Sequence, residues 1–370
     1  MLDVKFKIKP GHTSERDWME SSPLKTLFWN LTYACNLDCP VCFTDAGRRG
    51  DDELTSAEAL TVTDRIGRAG VRDVLISGGE PFLRPDLFDI LTGLSRHGIA
   101  LRIATNGTLI SDDALTRLKN ETLVKSFQVS LETTDAAVYA QVHRTPAGMF
   151  DTVKANLAKI QNAGFHTTAS VRLMPATLPG LPKVLDLAYK AGWPTVTVHF
   201  PVHLGRVGEC FPQDEDMLGK LEPAFEHFAG LPSHWLIETY IPWAEYHPAV
   251  RRREARVRFV HRGCRAGRDR LTIGPDGSLT PCVCMDVPEA RIGNVRTDDL
   301  ETVFRDATVC RIFRSPREHG LCIDCPHLAN CGGGCRAAAL SLTGRIDGMD
   351  ASCPVRKSLA PRGADKPLGR

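Results

Sequence analysis

The 370-residue chain carries almost no net charge. Its formal +2 gives no broad electrostatic pull toward nucleic acid or an anionic membrane. The opening stretch "MLDVKFKIKPGHTSERDW" has none of the apolar core of a signal peptide. No later run is apolar for long enough to span a bilayer. These absences point to a cytoplasmic protein with neither nucleic acid nor membrane as partner. They also leave little room for a disulfide scaffold: thirteen cysteines, an odd number gathered in two clusters, argue in a reducing compartment for metal ligation. The ordinary apolar fraction of 42% allows one large domain and a smaller one.

From about Lys25 to Phe200, short β-branched or apolar runs alternate with helical periodicity, the pattern of βα units and a parallel sheet. The expected strands are "TLFWNLT", "DVLIS", "ALRIAT", "SFQVSL", "TTASVRL" and "TVTVHF". Thr55 and Glu58 predict a capping box at the start of a helix that ends at Gly70, and Gly98, Gly164 and Gly192 predict later helix stops. Six such units give an α/β fold, a partial (β/α)6 barrel short of the eight that close one. Ligands in such sheets sit at the carboxyl ends of the strands. Beyond Phe200 the alternation ends. The basic run "VRRREARVRF" reads as one solvated helix face, and a cysteine- and glycine-dense region begins after a boundary near Gly263. The expected division is an N-terminal segment 1–24, a barrel 25–205, a bridging region 206–262, a cysteine-rich domain 263–357 and a disordered tail 358–370.

Cys35, Cys39 and Cys42 follow the first expected strand as C-x3-C-x2-C, at the ligand end of the barrel. A fourth cysteine is missing. A structural zinc site wants four ligands, so a zinc reading must borrow a distant histidine. An iron–sulfur cube held by three thiolates instead leaves one iron open for another ligand.

That motif resembles the radical S-adenosylmethionine (SAM) superfamily, whose signature is C-x3-C-x2-C after the first strand of a partial barrel. The resemblance implies that SAM binds the open iron and that an electron from the cluster cleaves its sulfonium to a 5'-deoxyadenosyl radical. The residue before the last cysteine, usually aromatic in the family, is Val41, and Phe43 stands next to the motif as the candidate adenine contact. "SGGEP", Ser77 to Pro81, follows the second strand. Gly78 and Gly79 allow a tight turn there, leaving carbonyls or Glu80 for the SAM ammonium. "TNG", with Asn106, and "SLE", with Ser130 and Glu132, imply contacts to ribose and methionine. Glu132 stands where aspartate is common. Arg144 in "VHRTP" resembles the arginine that pairs with the SAM carboxylate. Read without the family, Ser130 and Arg144 are a strand end and a surface charge.

From Cys264 the cysteines run C…G-x4-C…C-x2-C-x5-C-x3-C…C, similar to the seven-cysteine SPASM domain. The resemblance implies two auxiliary iron–sulfur clusters, three clusters in all, one auxiliary cluster having an open or substituted site. It gives Cys322, Cys325, Cys331 and Cys353 to one and Cys264, Cys282 and Cys335 to the other. Cys284, in "PCVC", is then a fourth ligand, a hydrogen-atom donor or a buried thiol. Two zinc sites are the other reading of this region. Cys210 and Cys310 match no motif and read as inert buried thiols, although a redox-neutral reaction would need Cys210, Cys284 or Cys310 as donor.

The segment "HFPVHLGRVGEC" follows the sixth strand, which makes His199, His203, Arg206 and Glu209 candidates for substrate binding. Only 34 residues precede Cys35, so no built-in leader-peptide reader is expected. The expected substrate is therefore a sugar, aminoglycoside or similar natural-product metabolite, oxidised, decarboxylated or epimerised. The alternative is maturation of a ribosomally made peptide brought by a separate leader-binding protein. An external donor such as flavodoxin or ferredoxin would supply electrons. A protein that only carries clusters or electrons is the reading from another class.

Overall fold

The computed structural model describes residues 23–193, 195–199, 202, 206, 236–239, 258–261, 264–315, 325, 328, 332–350 and 353. The βα alternation runs as expected: β1 (Thr26–Asn30), α1 (Ser56–Arg68), β2 (Asp73–Ser77), α2 (Leu87–Arg96), β3 (Ala100–Thr105), α3 (Asp112–Glu121), β4 (Val124–Ser130), α4 (Ala136–His143), α5 (Met149–Asn162), β5 (His166–Arg172), α6 (Leu181–Lys190) and β6 (Thr195–His199). The predicted capping box opens α1: Thr55 N–H donates to Glu58 Oε2 at 2.8 Å and Glu58 N–H to Thr55 Oγ1 at 3.3 Å. α1 then turns Ala59, Val62 and Ile66 inward. Leu27 and Trp29 of β1, Val74 and Ile76 of β2, and Ile90 and Leu94 of α2 join them in one apolar core, where burial of each large side chain is worth about 1.5–3 kcal/mol.

The sheet continues past the six expected strands. β7 (Leu236–Thr239) and β8 (Arg258–His261) add in parallel beyond β6. The end of the basic run thus enters β8, where a solvated helix face was expected; its earlier part lies outside the described residues. At the other edge, β9 (Arg270–Ile273) pairs in parallel with β1, and β10 (Ser278–Thr280) and β11 (Gly293–Asn294) follow antiparallel. The order is β11-β10-β9-β1-β2-β3-β4-β5-β6-β7-β8, an open sheet that does not close into a barrel. α7 (Leu300–Asp306), α8 (Thr308–Arg314) and α9 (Arg336–Thr343) complete the cysteine-rich region.

That region is fastened to the first half by more than backbone pairing. Arg296 Nε lies 2.8 Å from Glu58 Oε1, Arg65 Nη1 donates to Val295 O at 2.7 Å, and Tyr33 Oη donates to Asp286 Oδ2 at 2.9 Å. Among the described residues no helix is long and apolar enough to cross a membrane. The expected N-terminal segment up to Ser22 and the tail 358–370 lie outside the described residues.

Candidate active site

Cys35, Cys39 and Cys42 occupy the loop leaving β1, which folds back on itself. Cys35 N–H donates to Gly47 O at 2.9 Å, Gly47 N–H to Tyr33 O at 2.8 Å and Cys42 N–H to Cys39 O at 3.3 Å. The turn after β2 lies against it, backbone to backbone. Gly78 has φ 127°, and a Cβ there would meet Thr32 O at 2.5 Å, while one on Gly79 would meet Ala34 O at 2.2 Å. Glycine at both positions lets Gly79 N–H reach Thr32 O and Glu80 N–H reach Ala34 O, each at 2.8 Å.

Glu80 is fully buried and ties this turn to the loop after β3. Its carboxylate accepts from Phe82 N–H at 3.2 Å, Thr105 Oγ1 at 2.9 Å and Asn106 N–H at 2.9 Å. Burial still drives its carboxyl up to about 7. Asn106 Nδ2 in turn donates to Asn36 Oδ1 at 2.8 Å and reaches Cys35 Sγ at 3.9 Å. The three loops after β1, β2 and β3 thus form one hydrogen-bonded unit.

Each thiol of the loop has a polar neighbour. Cys35 Sγ accepts from Leu37 N–H at 3.4 Å, Cys42 Sγ accepts from Ala46 N–H at 3.3 Å, and Cys39 Sγ lies 3.2 Å from His143 Nδ1. Burial raises Cys35 and takes Cys39 up to about 12. At Cys42 burial also acts upward, but the contacts with Thr44 and Ala46 outweigh it and the thiol ends below its ordinary value. Three neighbouring thiols, two of them with backbone N–H donors aimed at sulfur, suit an iron–sulfur cluster, whose thiolates accept such bonds.

Opposite the loop, β5 ends on Arg172, whose Nη1 donates to Val41 O and whose guanidinium lies 6.0 Å from the Phe43 ring centre. Glu132 is buried at φ 58° and accepts from Arg172 N–H. Ser130 is the register partner of Ser170 across β4 and β5. Arg144, left-handed at φ 50°, pairs with Asp38 at 3.3 Å. Arg206 pairs with the same Asp38 and with Asp45 at 3.0 Å, and its N–H donates to Cys42 O at 3.1 Å. Its guanidinium therefore clasps the cysteine loop. Hydrogen bonding from Arg206 and, less strongly, Arg144 holds Asp38 below the usual carboxylate range. His199 is the register partner of Arg172, and burial, then Arg172, lower its imidazole to about 4. His203, Glu209 and Cys210 lie outside the described residues.

A second set of thiols gathers around α9. Cys264, Cys282, Cys284 and Cys335 all pack on the apolar cluster of Ala266, Met285, Ala290, Phe313 and Leu340. Interaction with Cys284, then burial, pushes the Cys282 thiol up, and burial, then the charges of Asp350, Cys264 and Cys282, push Cys335 up. Cys335 caps α9, its Sγ accepting from Ala338 N–H at 3.4 Å, while its own N–H donates to Asp350 Oδ2 at 2.6 Å. Asp350 O accepts from Cys353 N–H at 3.1 Å, and Cys325 O from Leu328 N–H at 3.0 Å. Cys322 and Cys331 lie outside the described residues. Cys310 is buried in the main core, where burial pushes its thiol up to about 11.

Two neighbours of the cysteine loop escaped the sequence. Arg172 could have been flagged as a charge at the carboxyl end of a parallel strand, where ligands sit. His143 leaves no such signal; only the folded chain brings it to Cys39.

The sequence model of the radical SAM superfamily matches residues 29–182, and that of an iron–sulfur cluster-binding domain, SPASM, matches residues 264–326. The chain is 29% identical to mycofactocin maturase MftC of Mycobacterium tuberculosis over 88% of its length and 82% of that protein. It is 27% identical to the AdoMet-dependent heme synthase of Methanosarcina barkeri over 88% and 95% of the two. Its fold is similar to that of Streptococcus suis SuiB crystallised with the precursor peptide SuiA, with a TM-score of 0.67 at 18% identity over 90% of this chain and 76% of that one.

Proposed function

The chain belongs to the radical SAM superfamily and carries a SPASM domain, so that SAM and iron–sulfur clusters are its cofactors, and from that premise we propose that it matures a ribosomally made peptide. The observation that carries the reading is the similarity to mycofactocin maturase over most of both chains. The crystallised pair of SuiB with its precursor peptide supports it from the side of the fold. A sugar or aminoglycoside substrate, favoured on sequence, yields to the peptide. Similarity to AdoMet-dependent heme synthases keeps a second reading, modification of a small metabolite, in play.

In this reading Cys35, Cys39 and Cys42 would hold the catalytic cluster. When bound, the cluster would supply the electron for reductive cleavage of SAM. The Gly78–Glu80 turn would hold the methionine amine, Asn106, Ser130 and Glu132 would reach the ribose and methionine moieties, Arg144 would pair with the carboxylate, and Phe43 would meet the adenine. Cys264, Cys282 and Cys335, with Cys284 as fourth ligand, hold one auxiliary cluster, and Cys322, Cys325, Cys331 and Cys353 the other. Three clusters result, fed by an external flavodoxin- or ferredoxin-type donor. Cys284 as ligand leaves a redox-neutral reaction only Cys210 or Cys310 as donor, and the buried core position of Cys310 favours net oxidation. His199, with His203 and Glu209 from the same segment, would bind substrate, and Arg206 positions the cysteine loop. The radical SAM core takes in 25–205 and its sheet runs on through β7 and β8, and the auxiliary-cluster domain takes in 263–357.

The test is anaerobic turnover of the reconstituted chain with SAM, reductant, a short precursor peptide encoded beside its gene and any small leader-binding protein found there. The expected result is 5'-deoxyadenosine together with a change in peptide mass. 5'-Deoxyadenosine with an unaltered peptide, and turnover of a tetrapyrrole or sugar instead, would overturn it.

A further inference from the structure

We propose that His143 is a dedicated hydrogen-bond donor to the Cys39 thiolate and eases one-electron reduction of the cluster on the Cys35–Cys42 loop. The proposal rests on the reading above that Cys39 is an iron ligand. His143 is the last residue of α4, is 3% exposed, and holds Nδ1 3.2 Å from Cys39 Sγ. An iron-bound thiolate has no hydrogen to give, so the hydrogen of this contact sits on Nδ1. Nε2 has no partner among the described residues, so the ring's hydrogen bonding is spent on Cys39.

The ring is also held in place. Tyr139, one turn earlier on α4, lies with its ring centre 4.3 Å from that of His143, and Phe150 of α5 lies 5.5 Å beyond Tyr139. Arg144, left-handed at φ 50°, turns the chain away immediately after. The neighbouring thiols take backbone N–H bonds from Leu37 and Ala46, which side-chain replacement leaves in place. Asn106 Nδ2 at 3.9 Å from Cys35 and Thr44 Oγ1 at 3.3 Å from Cys42 belong to loops, whereas Cys39 draws on a side chain carried by a separate helix. A donor at sulfur withdraws negative charge, and the reduced cluster carries one electron more than the oxidised one. The bond therefore stabilises the reduced form and raises the potential.

The experiment uses the full reconstituted chain under anaerobic conditions and follows the EPR signal that responds to SAM, which separates the catalytic cluster from the auxiliary ones. His143→Leu removes the donor and should leave about tenfold less reduced relative to oxidised catalytic cluster at a fixed ambient potential, a shift of about 59 mV for a one-electron couple. His143→Asn places an amide N–H where Nδ1 stands and should recover most of the difference. A leucine variant with full iron and the wild-type potential overturns the proposal, as does an asparagine variant no better than leucine. If leucine costs the cluster itself, 15N-histidine-labelled wild type decides. Pulsed EPR of the reduced cluster should show a 15N coupling that disappears in His143→Asn, and its absence overturns the proposal. A wild-type chain with no SAM-responsive cluster fails earlier and differently: it rejects Cys39 as a ligand before any variant is made.

Discussion

The two sets of thiols are built in opposite ways. Cys35, Cys39 and Cys42 come from eight consecutive residues on a loop braced by backbone of the neighbouring turns. Cys264, Cys282, Cys284 and Cys335 converge from distant stretches onto an apolar cluster. The first set has a thiol lowered below its ordinary value at Cys42, backbone donors at sulfur, and a position at the ligand end of the sheet. In the second, Cys264, Cys282 and Cys335 are all raised, with burial a leading cause throughout and contact with Cys284 the largest at Cys282. A three-thiol loop leaves an iron for an exchangeable ligand, whereas four half-buried thiols can close a cube completely. In the proposed function, chemistry falls to the open site and electron storage to the closed one.

The most severe way to break that contrast is to replace Cys35, Cys39 and Cys42 together by alanine. All SAM cleavage should vanish and iron should fall by about four per chain, with the auxiliary signals intact. Persistent 5'-deoxyadenosine would assign the chemistry elsewhere. Cys284→Ala should act more mildly. SAM cleavage survives, while the auxiliary EPR signal changes as one iron loses its thiolate; an unchanged spectrum with unchanged iron would remove Cys284 from the closed set.

The smallest effect concerns Glu80. Its folded value near 7 stands above the ordinary 4.5, so the neutral carboxyl is favoured by the fold. The associated stability is complete below about 4.5, declines as pH rises toward 7, and is gone above it. Glu80→Gln should therefore cost more stability at pH 5 than at pH 8, by about 1–3 kcal/mol. Thermal melts of both chains at the two pH values check this, and equal costs would contradict the burial argument.

What the sequence disclosed follows the range of each signal. The first six strands were legible because alternation of "DVLIS" or "ALRIAT" is local, and the α1 cap because Thr55 and Glu58 are three residues apart. β7 and β8 were missed: four-residue strands such as "LIET" are too short for a period to emerge beside Pro and Trp. β9 joining β1 could not be read at all, because Thr26 and Arg270 meet without either residue signalling the other. The cysteine loop stood out by spacing, but the Asp38–Arg206 pair and the His143 contact arise from tertiary placement of ordinary residues. Arg206, expected at the substrate, is found holding Asp38 and Asp45.

The pairing of β1 with β9 also sets a schedule for synthesis. β1 leaves the ribosome among the first elements, yet one of its edges stays without a partner until β9 follows roughly 240 residues later, on the order of 10–50 s at ordinary translation rates. Throughout that interval a strand rich in apolar side chains presents unpaired amides to every nascent neighbour. The first strand of the described sheet is thus among the last to be completed.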